Sequence, residues 1–122
     1  MIEGVLIAES LRVGAELTDL PLRVSRIVRS AAGSAEHGQP RDWTLLYFTA
    51  PDEAADRLAS ALAGGLAADG GWYCDFGTGT AKYVVFADRV FRYRRGDPGG
   101  GDEARAYGRS VGVPEPQLDW AD

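Results

Sequence analysis

Trp43-Thr44-Leu45-Leu46-Tyr47-Phe48-Thr49, running into Ala50-Pro51-Asp52-Glu53, is the stretch on which the fold turns. Trp43 to Thr49 is rich in aromatic and β-branched residues, the composition of a strand. Pro51 marks its end, and the acids Asp52 and Glu53 favour the positive end of a new helix. Ala54, Leu58, Ala61 and Leu62 recur at helical spacing, which predicts an amphipathic helix to about Leu66 with Leu58 and Leu62 facing a sheet. Asp69-Gly70-Gly71 ends it. Both parities of the strand are apolar, Trp43, Leu45 and Tyr47 on one side and Leu46 and Phe48 on the other. Lys82 to Phe86 repeats this, with Tyr83 and Val85 against Val84 and Phe86. Strands buried on both faces read this way.

Toward the N-terminus, Val5 to Val13 mixes apolar residues with Glu9, Ser10 and Arg12 and reads as a strand, with helix as the alternative. Gly14 and Thr18-Asp19-Leu20-Pro21 supply turn chemistry, and Leu22 to Val28 alternates apolar and polar residues. A β-hairpin with a long connection is the simplest reading of that half. The segment 31–42 is small, polar and broken by Gly and Pro, a loop. Toward the C-terminus, strands are predicted at Trp72 to Phe76, Lys82 to Phe86 and Arg89 to Arg94, with Ala87-Asp88 where a two-residue hairpin loop falls. Asp102 is placed to cap a last helix through about Val111, stopped by Gly112 and Pro114. The order β-β-β-α-β-β-β-α predicts one α+β domain spanning 1–122. Its sheet is expected to be antiparallel or mixed, of about five to six strands, with both helices on one face. The part from Trp43 through Phe86 fits half of a ferredoxin-like split βαβ arrangement.

A chain of 122 residues has the length of one domain, and 45% apolar with 25% charged residues is globular composition. The apolar stretch Ile2 to Ile7 lacks a basic flank and is too short for a signal peptide, and no run approaches the ~20 apolar residues of a membrane helix. Cys74 is the lone cysteine and forms no internal disulfide, so a cytoplasmic location is expected. The basic residues are twelve Arg and one Lys (Lys82), with no Asn, a bias that points to a GC-rich bacterial coding genome. A net charge of −5 argues against nucleic acid as a partner.

Few residues carry chemical promise. His37 is the only histidine, set in the Gly/Pro-broken loop, and alone it completes neither a zinc site nor a Cys/His relay. Cys74, between Trp72 and Phe76, reads as a packed thiol. Gly96 to Gly101 precedes a helix, but Asp97 and Asp102 repel the phosphate such a loop would cradle. Arg23, Arg26, Arg29 and Arg89, Arg92, Arg94, Arg95 cluster in sequence near aromatics, and pairing with acids or solvation is favoured over RNA binding. Asp52, Glu53 and Asp56 read as the wet face of the first helix. Asp75, inside an aromatic strand, is expected to pair with an arginine or to be functional. No metal or cofactor is expected, and no catalytic residue is assigned.

Trp72-Tyr73-x-Asp75-Phe76, Val84-Val85-Phe86 with Val90-Phe91-Arg92-Tyr93, and the ending Tyr107-Gly108-x-Ser110-x-Gly112-x-Pro114-Glu115-x-Gln117-Leu118-Asp119-Trp120 resemble a set of small bacterial proteins to which no activity is attached. The resemblance covers about two-thirds of the chain, from Trp43 to Trp120, and implies only a self-standing bacterial protein.

The apolar residues outnumber one sheet face, so a second face needs cover from the N-terminal hairpin, the tail, a second subunit or a ligand. The expected function is a non-catalytic module that pairs with itself, as a homodimer, or with another protein through an aromatic sheet face. The alternative is a small enzyme or ligand carrier. The binding surface in either case is assigned to Trp43, Tyr47, Tyr73, Asp75, Arg92 and Arg94, with a small molecule as the possible ligand.

Overall fold

A computed structural model describes residues 1–31, 39–118 and 120 of the chain. Among them, six strands form one antiparallel sheet: β1 (Ile2–Ile7), β2 (Arg23–Ala31), β3 (Asp42–Ala50), β4 (Cys74–Gly77), β5 (Ala81–Phe86) and β6 (Arg89–Arg94). Helix α1 (Ala55–Gly65) follows β3, and α2 (Asp102–Ser110) follows β6. The α+β class and the six-stranded sheet agree with the sequence pattern. No helix among the described residues is long and apolar enough to cross a membrane.

The spatial order is β2-β3-β1-β4-β5-β6, which replaces the expected N-terminal hairpin. β1 pairs with β3 and β4, and β2 pairs with β3. The reason lies in β1 itself. It begins at Ile2, and Ile2 and Leu6 are 0% and 4% exposed, a burial that suits a strand in the interior of the sheet. It stops at Ile7 because Ala8–Ser10 turns as one 3-10 coil, where the Ser10 hydroxyl donates to the Ile7 carbonyl at 2.6 Å. Glu9 in that turn accepts from Thr44 N (2.6 Å) and Thr44 Oγ1 (2.8 Å) and pairs with Arg29 at 3.0 Å. Burial raises the Glu9 pKa, but the Thr44 hydrogen bonds and the Arg29 charge outweigh it and hold the carboxyl below its ordinary value. Both neighbours of β1 are antiparallel to it, so β3 and β4 run parallel with β1 between them and α1 connecting them. The N-terminal strand thus separates β3 from β4, and β4, β5 and β6 continue as a meander.

The helices lie on opposite faces of the sheet, correcting the expectation that they share one. Leu58 and Leu62 of α1 pack with Ile2, Leu6, Phe48, Phe76, Tyr83 and Val85. On the other side Ala104 of α2 packs with Val84, Phe86 and the tail residues Val113, Leu118 and Trp120, joined by Phe91, Tyr93 and Tyr107. β5 dictates the arrangement: every residue from Ala81 to Phe86 is buried, so each face of that strand needs its own cover. The α1 face is completed by Leu11, Leu17, Leu20 and Leu22 from the long β1–β2 connection. Two local details also differ from expectation. Gly101, without a side-chain cap, precedes α2, and Asp102 is its first residue. The Ala87-Asp88 hairpin works without glycine because Asp88 takes φ +57°, a conformation aspartate tolerates.

Gly4 sits between Ile2 and Leu6 on the α1 face, and a Cβ there would fall 2.5 Å from Phe48 Cζ. Phe48 is 2% exposed and has little room to yield. Gly4→Ala is expected to cost about 1–3 kcal/mol by overpacking, and Leu62→Ala about 2–5 kcal/mol by leaving a cavity. Urea melts check both; a loss below about 0.5 kcal/mol for Leu62→Ala would mean that α1 does not seal this face.

Candidate functional site

Alternation along β1 and β3 sends Val5 and Ile7, with Trp43, Leu45 and Tyr47, to the face that α2 occupies, and the register pairs Val5 with Tyr47 and Ile7 with Leu45. Asp75 of β4 and Lys82 of β5 join them, as does Tyr73 just before β4. Helix α2 and the tail cover the β4–β6 half of this face. The β1–β3 half keeps Trp43, Leu45 and Tyr47 half-buried and Val5 37% exposed.

Between the two halves runs a cleft of about 260 Å³, lined on one side by Val5, Ile7, Trp43 and Leu45 and on the other by Trp72, Tyr73, Asp75, Pro116 and Gln117. The indoles of Trp43 and Trp72 meet edge to face, centroids 5.7 Å apart and planes at 61°. Trp43 Nε1 is buried with no acceptor among the described residues. Tyr73 is fixed at both ends, its ring against Trp120 at 5.1 Å and its hydroxyl donating to the Gln117 carbonyl. Gln117 Nε2 donates to Gln39 Oε1 at 3.0 Å, and Gln39 Nε2 donates to the Gly70 carbonyl at 2.6 Å. These bonds tie the tail to two other segments and make it a fixed wall.

A second hollow of about 410 Å³ adjoins the cleft, shares Val5 and Asp75 with it, and is lined further by Glu3, Gly77, Lys82 and Arg95. The partner of Asp75 is Lys82, not the arginine expected: Nζ lies 2.7 Å from Oδ2. Lys82 is 8% exposed, a buried ammonium whose one acceptor among the described residues is that carboxylate.

Of the six residues assigned from the sequence, the fold brings together Trp43, Tyr47, Tyr73 and Asp75. Arg92 and Arg94 lie on the opposite face. The register explains this: Asp75 pairs with Val84 and Val84 with Phe91, so Phe91 rather than Arg92 shares the Asp75 face. Arg92 instead lies over the Tyr83 ring at 5.5 Å and 3.9 Å from Asp56. Tyr47 is covered by the Arg26 guanidinium at 5.0 Å and lies outside the cleft. Apart from Arg95, which follows β6, the two arginine clusters fall on β2 and β6, the two edges of the sheet, where charge blunts edge pairing. In the glycine loop, Gly100 N donates to Asp97 O at 2.9 Å and Asp102 N to Gly99 O at 3.1 Å, so these amides serve the loop itself. His37 lies outside the described residues. Trp72, Lys82 and Gln117 were missed by sequence reasoning. The signal for Lys82 was there, the single lysine of an arginine-rich chain placed within an apolar strand.

Cys74 lies beneath the cleft, 2% exposed, with its thiol donating to the Val5 carbonyl at 3.6 Å. Burial, with the Asp75 charge adding to it, pushes its pKa up to about 12, which leaves negligible thiolate at neutral pH. Comparison with known proteins finds no matching family model, no similar curated protein and no similar solved structure.

Burial, and then the hydrogen bond to Asp56 (2.6 Å), raises the Tyr83 phenol from 10.0 to about 12. The protonated form is favoured by folding, so its contribution is full below pH 10.0 and is lost as pH rises toward about 12. Stability of the parent is expected to fall more steeply across that window than stability of Tyr83→Phe. Equal slopes in urea melts from pH 9 to about pH 12 would sink the assignment.

Proposed function

We propose that this chain is a non-catalytic binding module that works through the uncovered half of the α2 face and holds a small ligand in the Trp43–Trp72 cleft. The observation that carries this reading is the shape of the surface. The aromatic residues line a concave cleft with a fixed wall, and concave, mainly apolar sites with a few polar groups are the ordinary form of ligand pockets. A non-catalytic role is supported by the state of Cys74, a thiol too buried and too weakly acidic to act as a nucleophile.

Pairing with a second copy or another protein is the second reading. Its support is the apolar strip that runs from Val5 and Leu45 in the cleft to the half-buried Val28 on the β2 edge. The drive for such pairing is reduced because Trp43, Leu45 and Tyr47 are already half-buried within one chain.

A fragment screen read by backbone amide NMR shifts tests the ligand reading. Aromatic and aliphatic fragments are expected to perturb Val5, Ile7, Trp43, Leu45 and Tyr73 as one group, and Val5→Gln is expected to weaken them while leaving the melting midpoint nearly unchanged. Hits scattered over other surfaces, or none, would remove the reading. Light scattering at high micromolar concentration is expected to show a monomer; a dimer that Leu45→Gln dissociates would favour the second reading instead.

A further inference from the structure

Among the described side chains lining the cleft, Trp43, Trp72 and Tyr73 carry aromatic rings, and Asp75 is the one that carries a charge. Indole faces hold the negative part of the ring quadrupole, and tryptophan is the strongest cation–π partner. Here two indoles form a corner, their planes at 61°. Lys82 reaches Asp75 from the adjoining hollow and does not line the cleft, so the cleft meets the negative end of the ion pair. Asp75 Oδ2 takes the ammonium, its other oxygen has no hydrogen bond among the described residues, and the side chain is 32% exposed.

The three classes of ligand fare differently in such a place. An anion would meet aromatic rings and a carboxylate, and the partnerless Trp43 Nε1 is buried and out of its reach. A neutral apolar molecule would strip water from the unengaged oxygen of Asp75 and give nothing in return. A cation with apolar substituents answers both features, and the net charge of −5 draws it in from a distance.

We propose that the cleft binds a small organic cation, a substituted ammonium whose charge sits among Trp43, Trp72, Tyr73 and Asp75 and whose apolar part lies on Val5, Ile7 and Leu45. This rests on the reading of the cleft as a ligand site and names the class of ligand it takes. Asp75 supplies the counter-charge, and Lys82 holds that carboxylate in place from the far side.

The test compares matched compounds on the intact chain: choline and benzyltrimethylammonium, each against its neutral carbon analogue, in which a tert-butyl group replaces the trimethylammonium. Each is titrated by amide NMR shifts and tryptophan fluorescence. The cations are expected to bind about tenfold or more tightly than their neutral counterparts, on Val5, Trp43 and Tyr73. Asp75→Asn and Trp43→Leu should each remove that preference, so that each cation binds no more tightly than its neutral counterpart measured on the same variant. Should Asp75→Asn fail to fold because Lys82 is left unpaired, the double variant Asp75→Asn, Lys82→Met removes both charges together and is expected to fold without the preference. Neutral compounds that bind in the cleft as tightly as the cations would overturn this proposal and leave the ligand site standing. A cation preference that survives in both the double variant and Trp43→Leu overturns it as well. Binding by none of the four compounds counts against the cation and the site together.

Discussion

Everything in this fold depends on the first strand of the chain taking the middle of the sheet. β1 is held on one side by six register pairs with β3, from Ile2↔Ala50 to Ile7↔Leu45, and on the other by Glu3↔Gly77 and Gly4↔Phe76 with β4. All of these contacts are distant in sequence, so closing them costs chain entropy that only extensive burial offsets. Ile2 and Leu6 provide that burial on the α1 face. Gly4 between them provides the opposite, an empty place that the Phe48 ring fills. A one-residue slip of β1 would turn Ile2, Gly4 and Leu6 toward the other face and drive Glu3 and Val5 into the α1 core. The site and the core are therefore set by the same register.

How far this was legible in the sequence follows from the range of the interactions. Local patterns gave β3, α1 and the β4–β6 meander, because turn residues and periodicity are read within a few positions. The doubly apolar character of Trp43 to Thr49 and of Lys82 to Phe86 also announced that two faces needed cover. It did not say which helix took which face. That depends on β1 entering between β3 and β4, a non-local choice that no window around Val5 or Val13 contains. The site divides in the same way. Alternation within single strands placed Asp75 with Trp43, Tyr47 and Tyr73 correctly. Arg92 and Arg94 were misplaced because the face of one strand relative to another depends on register across two hairpins, and the shared face was assigned without it.

The Asp75–Lys82 pair shows why a lysine persists in a chain that otherwise uses arginine. Lys82 lies opposite Gly77 on β4 and Tyr93 on β6, in a place 8% exposed. A guanidinium has five donors in a fixed plane and would leave several unmet where one carboxylate is the available acceptor; an ammonium is compact and turns to suit. Gly77 has a related role. A Cβ there would fall 2.8 Å from Arg95 Nη1, which donates to the Thr78 carbonyl at 2.6 Å. Such a buried pair is weak evidence for net stability, since desolvation offsets attraction. Its structural effect is to orient the Asp75 carboxylate.

The cleft itself is a consequence of strand geometry. Six strands at about 4.8 Å spacing make a sheet about 24 Å wide, whereas a helix about 10 Å across covers roughly two of them. The α1 face makes up the difference with Leu11, Leu17, Leu20 and Leu22, but on the other face α2 and the tail reach only over β4 to β6. The gap falls at a particular place because β1 and β4 pair at just two positions and then part. Beyond Gly4, the β1 residues Val5 and Ile7 face across an opening to Trp72 and Tyr73, which lead into β4, and Pro116 and Gln117 close its far side. A strand inserted between two parallel neighbours need not match both along its whole length. Where β1 follows β3 and leaves β4, the sheet opens a crevice whose walls are the side chains of the diverging strands. Trp43, Trp72, Tyr73 and Asp75 meet there because the register of β1 on β3, and of β4 on β5, brings their separate stretches of sequence to that one seam.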